Sequence, residues 1–209
     1  MQNRQALMNI GSFTCDEFLE KIRTVHGSTA PGVVLGGIML DYARRHLPEG
    51  CIFDVVCETR SCLPDSVQIL TPCSLGNGWL KVIPLGRFAL SLFDKYSGKG
   101  IRCFLDPAKT VKWPEIHSWF LKLKPKKDQD LEGILQDIKM ASFSIYGLQN
   151  ILVKDFFRKK QQKGDIAICP SCHEAYPEKD GNICLGCQAM DQDAYYLANK
   201  TKYINDDLE

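Results

Sequence analysis

The chain has 209 residues, 44% hydrophobic and 24% charged, the balance of a soluble globular protein with room for one medium domain and a small module. A formal net charge of +1 provides no global field for gathering nucleic acid or an anionic membrane. Met1-Gln2-Asn3-Arg4-Gln5 lacks the charged-then-apolar order of a signal peptide, and no apolar run approaches the roughly 18 residues of a membrane span, so the chain reads as cytoplasmic. Ten cysteines are many for this length; in a reducing compartment they are metal ligands, catalytic groups or buried apolar side chains.

Thr14 followed three residues later by Glu17 forms a capping box, and Phe18, Ile22 and Val25 recur at helical spacing. This predicts a helix from about Cys15 to Val25 that breaks at His26-Gly27-Ser28. Ala30-Pro31-Gly32 leads into a second helix bearing Val33, Val34, Ile38 and Tyr42. Gly36 and Gly37 inside it cost about 1 kcal/mol each relative to Ala, so the pair implies close backbone packing or a ligand approaching the helix. Cys51 to Glu58 reads as a strand, Leu63-Pro64-Asp65 opens a short helix, and Trp79–Ile83, Phe88–Phe93 and Ile101–Leu105 read as further strands. Helices come first and strands after, which is α+β: two N-terminal helices packed on an antiparallel sheet.

Trp113-Pro114-Glu115 starts another short helix, and the basic stretch from Lys122 to Asp128 reads as a solvated connection in preference to a binding patch. From Asp130 on, Leu131, Ile134, Ile138, Ala141, Ile145, Leu148, Leu152 and Phe156 lie three or four apart. That stripe predicts one long helix, bent or interrupted at Gly147 and ended by Arg158-Lys159-Lys160. Its apolar face suits a core or a homodimer seam. The tail carries a predicted short helix around Tyr195 to Leu197.

Cys169-Pro170-Ser171-Cys172 and Cys184-Leu185-Gly186-Cys187 are two CxxC turns. Each turn places two sulfurs on one side of a tight loop, so together Cys169, Cys172, Cys184 and Cys187 form the ligand set of a closed, structural zinc site. Gly181-Asn182 between the pairs is a hairpin signal, so the insert is expected to run strand, turn, strand, as in a zinc ribbon. The competing reading is two disulfides or four unrelated thiols. Zinc ribbons serve many functions, so the site predicts how the segment folds and leaves function to the larger domain.

In that domain His26 lies between two helices, Glu58 ends a strand, and Cys62, Asp65 and Cys73 follow in loops. Imidazole, thiolate and carboxylate are all ligands for a divalent ion, and a thiolate beside an imidazole is also a nucleophile pair. Taken alone, such residues are more often capping or packed groups.

Ordered pieces of this region, from about Thr14 to Asp106, resemble the FmdE-like family, that of the E subunit of formylmethanofuran dehydrogenase. The pieces are His26-Gly27 with Pro31-Gly32 and Gly36; Glu58-Thr59-Arg60-Ser61-Cys62-Leu63-Pro64-Asp65; Cys73-Ser74-Leu75-Gly76-Asn77-Gly78; Leu85-Gly86-Arg87-Phe88-Ala89; and Tyr96 to Arg102. Several members of that family carry a zinc module after such a core. The resemblance implies a cleft lined by His26, Glu58, Cys62, Asp65 and Cys73, able to hold a metal. The family pattern is His-Gly-His-x-Cys-Pro-Gly, whereas here Ser28 replaces the second histidine and Ala30 the cysteine. Pro72 stands where glycine is usual. The loss of two soft ligands weakens or changes any core metal site, which would then rest on His26, Cys62 and Cys73.

The expected organisation is a family-like α+β core over residues 1–125, a helical connector over 126–164 and a four-cysteine zinc module over 165–209. The resemblance implies a metal-binding accessory protein linked to a molybdenum- or tungsten-pterin oxidoreductase, with that enzyme's subunits or a second copy of the chain as partners. One alternative is a stand-alone metal- or thiol-dependent enzyme, with Cys62 or Cys73 as nucleophile or ligand, His26 as base and Glu58 or Asp65 as its orienter. Another is nucleic-acid binding by the ribbon with the stretch from Lys154 to Lys163, which the near-zero net charge opposes.

Overall fold

The computed structural model describes residues 9–158 and 164–189, and the chain divides into two compact units between Lys159 and Lys160. The expected tail helix and part of the basic stretch from Lys154 to Lys163 lie outside the described residues. Among the described residues no helix is long and apolar enough to cross a membrane.

The first unit opens with helix α1 (Cys15–His26). Its capping box forms as the sequence dictates: Glu17 N–H donates to Thr14 Oγ1 and Thr14 N–H donates to Glu17 Oε2 at 2.8 Å. Gly27, at φ 81°, closes the helix by donating to Arg23 O. Helix α2 (Pro31–Arg44) has ten of its fourteen residues buried, so it forms the centre of the unit. Helix α3 (Leu63–Leu70) and α1 pack on it from two sides, and the paired glycines are where they do so. A Cβ on Gly36 would lie 2.3 Å from Ser66 Oγ, and one on Gly37 would lie 2.4 Å from Phe18 Cζ. Of the two sequence readings, close helix packing is the one the structure realises.

Ser66 cannot swing aside, because its hydroxyl donates to Val33 O at 2.9 Å. Gly36→Ala is therefore expected to lower stability by about 1–3 kcal/mol through overpacking, despite the better helix propensity of Ala. A urea midpoint that is unchanged or higher would show that α3 can shift away at no cost.

The strands are β1 (Phe53–Cys57), β2 (Leu80–Val82), β3 (Ala89–Asp94), β4 (Lys99–Leu105) and β5 (Tyr146–Leu152), in the order β2-β1-β3-β4-β5. β1, β3 and β4 pair antiparallel, as expected, and β5 adds antiparallel to β4. β1 and β2 pair in parallel, with Val55 opposite Leu80. The cause is α3, which carries the chain back across the sheet between the two strands as a crossover. Ile101, Cys103 and Leu105 of β4 are buried in the core that α2 occupies, while Arg102 and Phe104 alternate onto the other face.

The expected long helix forms only over α6 (Leu131–Ala141). Ser142, at φ 47°, ends it, a 3₁₀ turn follows, and the chain enters β5. Ser142, Gly147 and Asn150 are poor helix formers, and β4 offers an open row of backbone groups that β5 satisfies over seven residues. Gly147 does not bend a helix; it faces Phe104 in register, and a Cβ there would lie 2.3 Å from that ring. Tyr146 fixes the strand to α2 by donating its buried hydroxyl to Leu35 O at 2.8 Å. The rest of this unit is α4 (Pro107–Thr110), α5 (Pro114–Phe120) and α7 (Asp155–Arg158).

In the second unit, β6 (Ile166–Ile168) and β7 (Ala175–Pro177) form an antiparallel hairpin, and a short helix, α8 (Leu185–Gln188), follows. The strands flank the first CxxC turn, so β7 alone lies between the two pairs, where Gly181-Asn182 had suggested both strands of a hairpin. Gly181 instead ends a 3₁₀ turn, and its carbonyl accepts from the Tyr176 hydroxyl at 2.9 Å.

Candidate metal centre and core cavity

The first CxxC turn is a knuckle between β6 and β7. Cys169 N–H donates to Glu174 O, His173 N–H donates to Cys169 O, and His173 takes φ 63° to complete the reversal. The second pair sits on α8: Cys184 is its N-cap and Cys187 lies in its first turn. The four sulfurs lie within 4.8 Å of one another, the sole such group of three or more candidate ligands among the described residues. Cys169 Sγ and Cys187 Sγ are 3.8 Å apart, and Cys172 Sγ and Cys184 Sγ are 3.7 Å apart. A tetrahedron with Zn–S bonds of about 2.3 Å has edges of about 3.8 Å, so the thiols present fit the ion. Backbone N–H groups of Cys172 and Cys184 push the Cys169 thiol down to about 6, into its thiolate form.

The five core residues do not form one ligand set. Glu58 is buried and committed to two arginines: Arg102 Nε and Nη2 donate to it at 2.7 and 2.9 Å, and Arg87 Nε lies at 2.7 Å. The Arg102 hydrogen bonds hold its carboxyl below the usual range against the opposing effect of burial. Arg102 also donates to Gln149 Oε1, so Glu58 fastens the end of β1 to β4 and β5. His26 ends α1 and meets Asp65 in the first turn of α3, Nδ1 to Oδ2 at 2.6 Å.

Cys62, the residue before α3, takes φ 61° and packs on Gly32, where a Cβ would come within 2.7 Å of its sulfur. Burial first, and Asp65 second, push its thiol upward, which works against a nucleophile. Cys73 is fully buried in the hydrophobic core, its sulfur 3.6 Å from Phe53 O. The expected triad of His26, Cys62 and Cys73 is thus not brought together, because Cys73 is drawn into the core under β1 while His26 turns to Asp65.

Cys62 instead borders a cavity of about 880 Å³ that the sequence reading did not anticipate. Arg87 and Phe88 enter it from the loop before β3, Trp119 and Phe120 from the end of α5, and Lys122, Lys124 and Lys126 from the basic stretch. That stretch is exposed throughout, as a solvated connection should be, and it also lines the cavity. A signal was available in the run of two aromatics followed by three alternating lysines, which nothing in the helical pattern required.

Residues 25–153 match the family model described as "FmdE, Molybdenum formylmethanofuran dehydrogenase operon", over half of the chain. The chain belongs to the FmdE family. Residues 160–196 match the FmdE treble clef zinc finger, in agreement with a knuckle followed by two ligands at a helix N-terminus. This FmdE-family protein therefore binds zinc in its C-terminal unit.

A solved structure from Syntrophus aciditrophicus, of a protein like the E subunit (FmdE) of a tungsten formylmethanofuran dehydrogenase, is 49% identical to it. That likeness has a TM-score of 0.82 and covers 89% of this chain and 98% of the other. A curated Archaeoglobus fulgidus protein named "Probable S-adenosyl-L-methionine-binding protein" is 31% identical over 132 residues. The match takes in 59% of this FmdE-family chain and only 36% of the Archaeoglobus protein.

Proposed function

We propose that this protein is a ligand-binding accessory factor of a molybdenum- or tungsten-pterin oxidoreductase, stabilised by one structural zinc held by Cys169, Cys172, Cys184 and Cys187. Its core offers a small-molecule cavity in place of a second metal centre. The supporting observation is the division of labour between the units: thiols converge in the finger, whereas the core's candidate ligands are paired or buried beside an open cavity. The family description and the tungsten-associated relative support the link to the oxidoreductase, whose subunits are the proposed partners beside a second copy of the chain. The Archaeoglobus relative, named for a small-molecule ligand, adds support for a binding role.

A thiol enzyme is the second reading, and the His26–Asp65 pair near Cys62 is what favours it. The raised Cys62 thiol opposes it.

Elemental analysis of protein purified without added metal tests the division. About one zinc per chain is expected, unchanged in Cys62→Ala and Cys73→Ala. A second equivalent that disappears in either variant would restore a core metal site on His26, Cys62 and Cys73 and replace the cavity reading.

A further inference from the structure

The wall of the core cavity has a one-sided charge. Four cations line it, Arg87, Lys122, Lys124 and Lys126, and no carboxylate does. Arg87 is committed to Glu58, and Lys124 pairs with Glu115 at 3.2 Å. Lys122 and Lys126 have no acidic partner among the described residues, so two cations face the cavity uncompensated.

The opposite character lies beside them. Phe88 and Phe120 meet edge to face at 6.1 Å, and Trp119 lies 6.5 Å from Phe120, so the inner wall is a continuous aromatic surface. Side chains of neutral polarity, Thr59, Ser61 and Gln129, complete the polar lining. Two of the four non-glycine residues with positive φ among the described residues, Cys62 and Lys122, border this one cavity. Strained backbone of that kind collects at ligand sites, where the fold holds a residue in place for a contact. Lys122 is held in this way directly after α5, its N–H donating to Trp119 O at 3.2 Å.

We infer that the cavity binds a phosphorylated aromatic heterocycle of nucleotide size. Its volume of about 880 Å³ suits such a molecule. The ring stacks on Trp119 and Phe120, and the phosphate oxygens meet the ammonium groups of Lys122 and Lys126. A cationic ligand such as S-adenosylmethionine finds aromatic faces here but no counter-charge for its sulfonium and amine. This inference rests on the core being a ligand cavity, which the zinc count tests by a different readout. A chain with one zinc and no affinity for these ligands would therefore sink this inference alone.

The test is calorimetric titration of the full-length zinc-bound protein at low salt with ATP and with flavin mononucleotide. Adenosine, inorganic pyrophosphate and S-adenosylmethionine serve as comparisons. Saturable binding of a phosphorylated heterocycle is expected, with adenosine and pyrophosphate each at least about tenfold weaker. The exposed double variant Lys122→Ala/Lys126→Ala should weaken it about tenfold and flatten its salt dependence. Lys127→Ala, outside the cavity lining, should leave it unchanged. The inference is overturned if neither phosphorylated probe saturates at about 1 mM. It is equally overturned if S-adenosylmethionine binds as tightly as they do, or if the double lysine variant binds them like wild type.

Discussion

Cys184→Ser is expected to release the zinc ion and unfold the C-terminal unit while the sheet of the first unit persists. Cys184 does two jobs: its sulfur lies 3.7 Å from that of Cys172, and it accepts from Cys187 N–H at 3.3 Å as the N-cap of α8. Serine can still cap the helix, so the loss is mainly that of a ligand. Within the described part of the unit, Cys169 and Tyr176 are the buried hydrophobic residues, and the strands are three residues long. Two buried residues are little core for the described segment, so the ion's apparent binding free energy of about 10–16 kcal/mol is its main source of folding free energy. Zinc analysis should fall from about one equivalent to near zero, and limited proteolysis should cut within residues 164–189. A variant that keeps its zinc and its protease resistance would show that three thiols and a water suffice.

The second large effect is at Glu58. Removing its carboxylate in Glu58→Ala strands Arg102, whose side chain is 16% exposed. Breaking such a pair from one side costs about 3–5 kcal/mol; about 3 kcal/mol is expected here, because Arg87, the third member, remains 57% exposed and can hydrate. The same group creates an acid limb in stability. Its folded pKa is depressed below the ordinary 4.5, chiefly by the Arg102 hydrogen bonds, so the unfolded chain takes up the proton first as pH falls. The stabilisation is whole above 4.5 and is lost as pH drops through the folded value. Urea midpoints measured from about pH 6 to about pH 3 should therefore decline for wild type more steeply than for Glu58→Gln. Equal slopes would mean that other carboxylates carry the acid limb.

Helices α1, α2 and α3 and strands β1 to β4 were readable in the sequence because caps, proline positions and β-branched runs are local signals. The parallel β1–β2 pair was not, since strand direction follows from where α3 delivers the chain and no single strand records it. The stripe from Leu131 to Phe156 misled for a related reason. Spacings of three and four also arise in an apolar edge strand placed after a helix, and the demand of β4 for a partner decided between them. The four zinc thiols were legible as a set because their chemistry is carried by short CxxC spacings. The core site was legible only as a set of residue types. His26, Glu58, Cys62, Asp65 and Cys73 all lie in the first unit, but their partners, Arg87 and Arg102 for Glu58 and the Phe53 carbonyl for Cys73, are tertiary facts.

The segment that walls the cavity, from Trp119 to Gln129, lies inside the long excursion between β4 and β5, which leaves the sheet at Leu105 and rejoins it at Tyr146. Closing that excursion is entropically unfavourable until the seven-residue pairing of β4 with β5 compensates. In folding order the local hairpin of β3 and β4 can precede this event, but the cavity cannot. The proposed binding competence thus belongs to the most non-local contact of the core sheet, so a ligand would meet only molecules that have completed it.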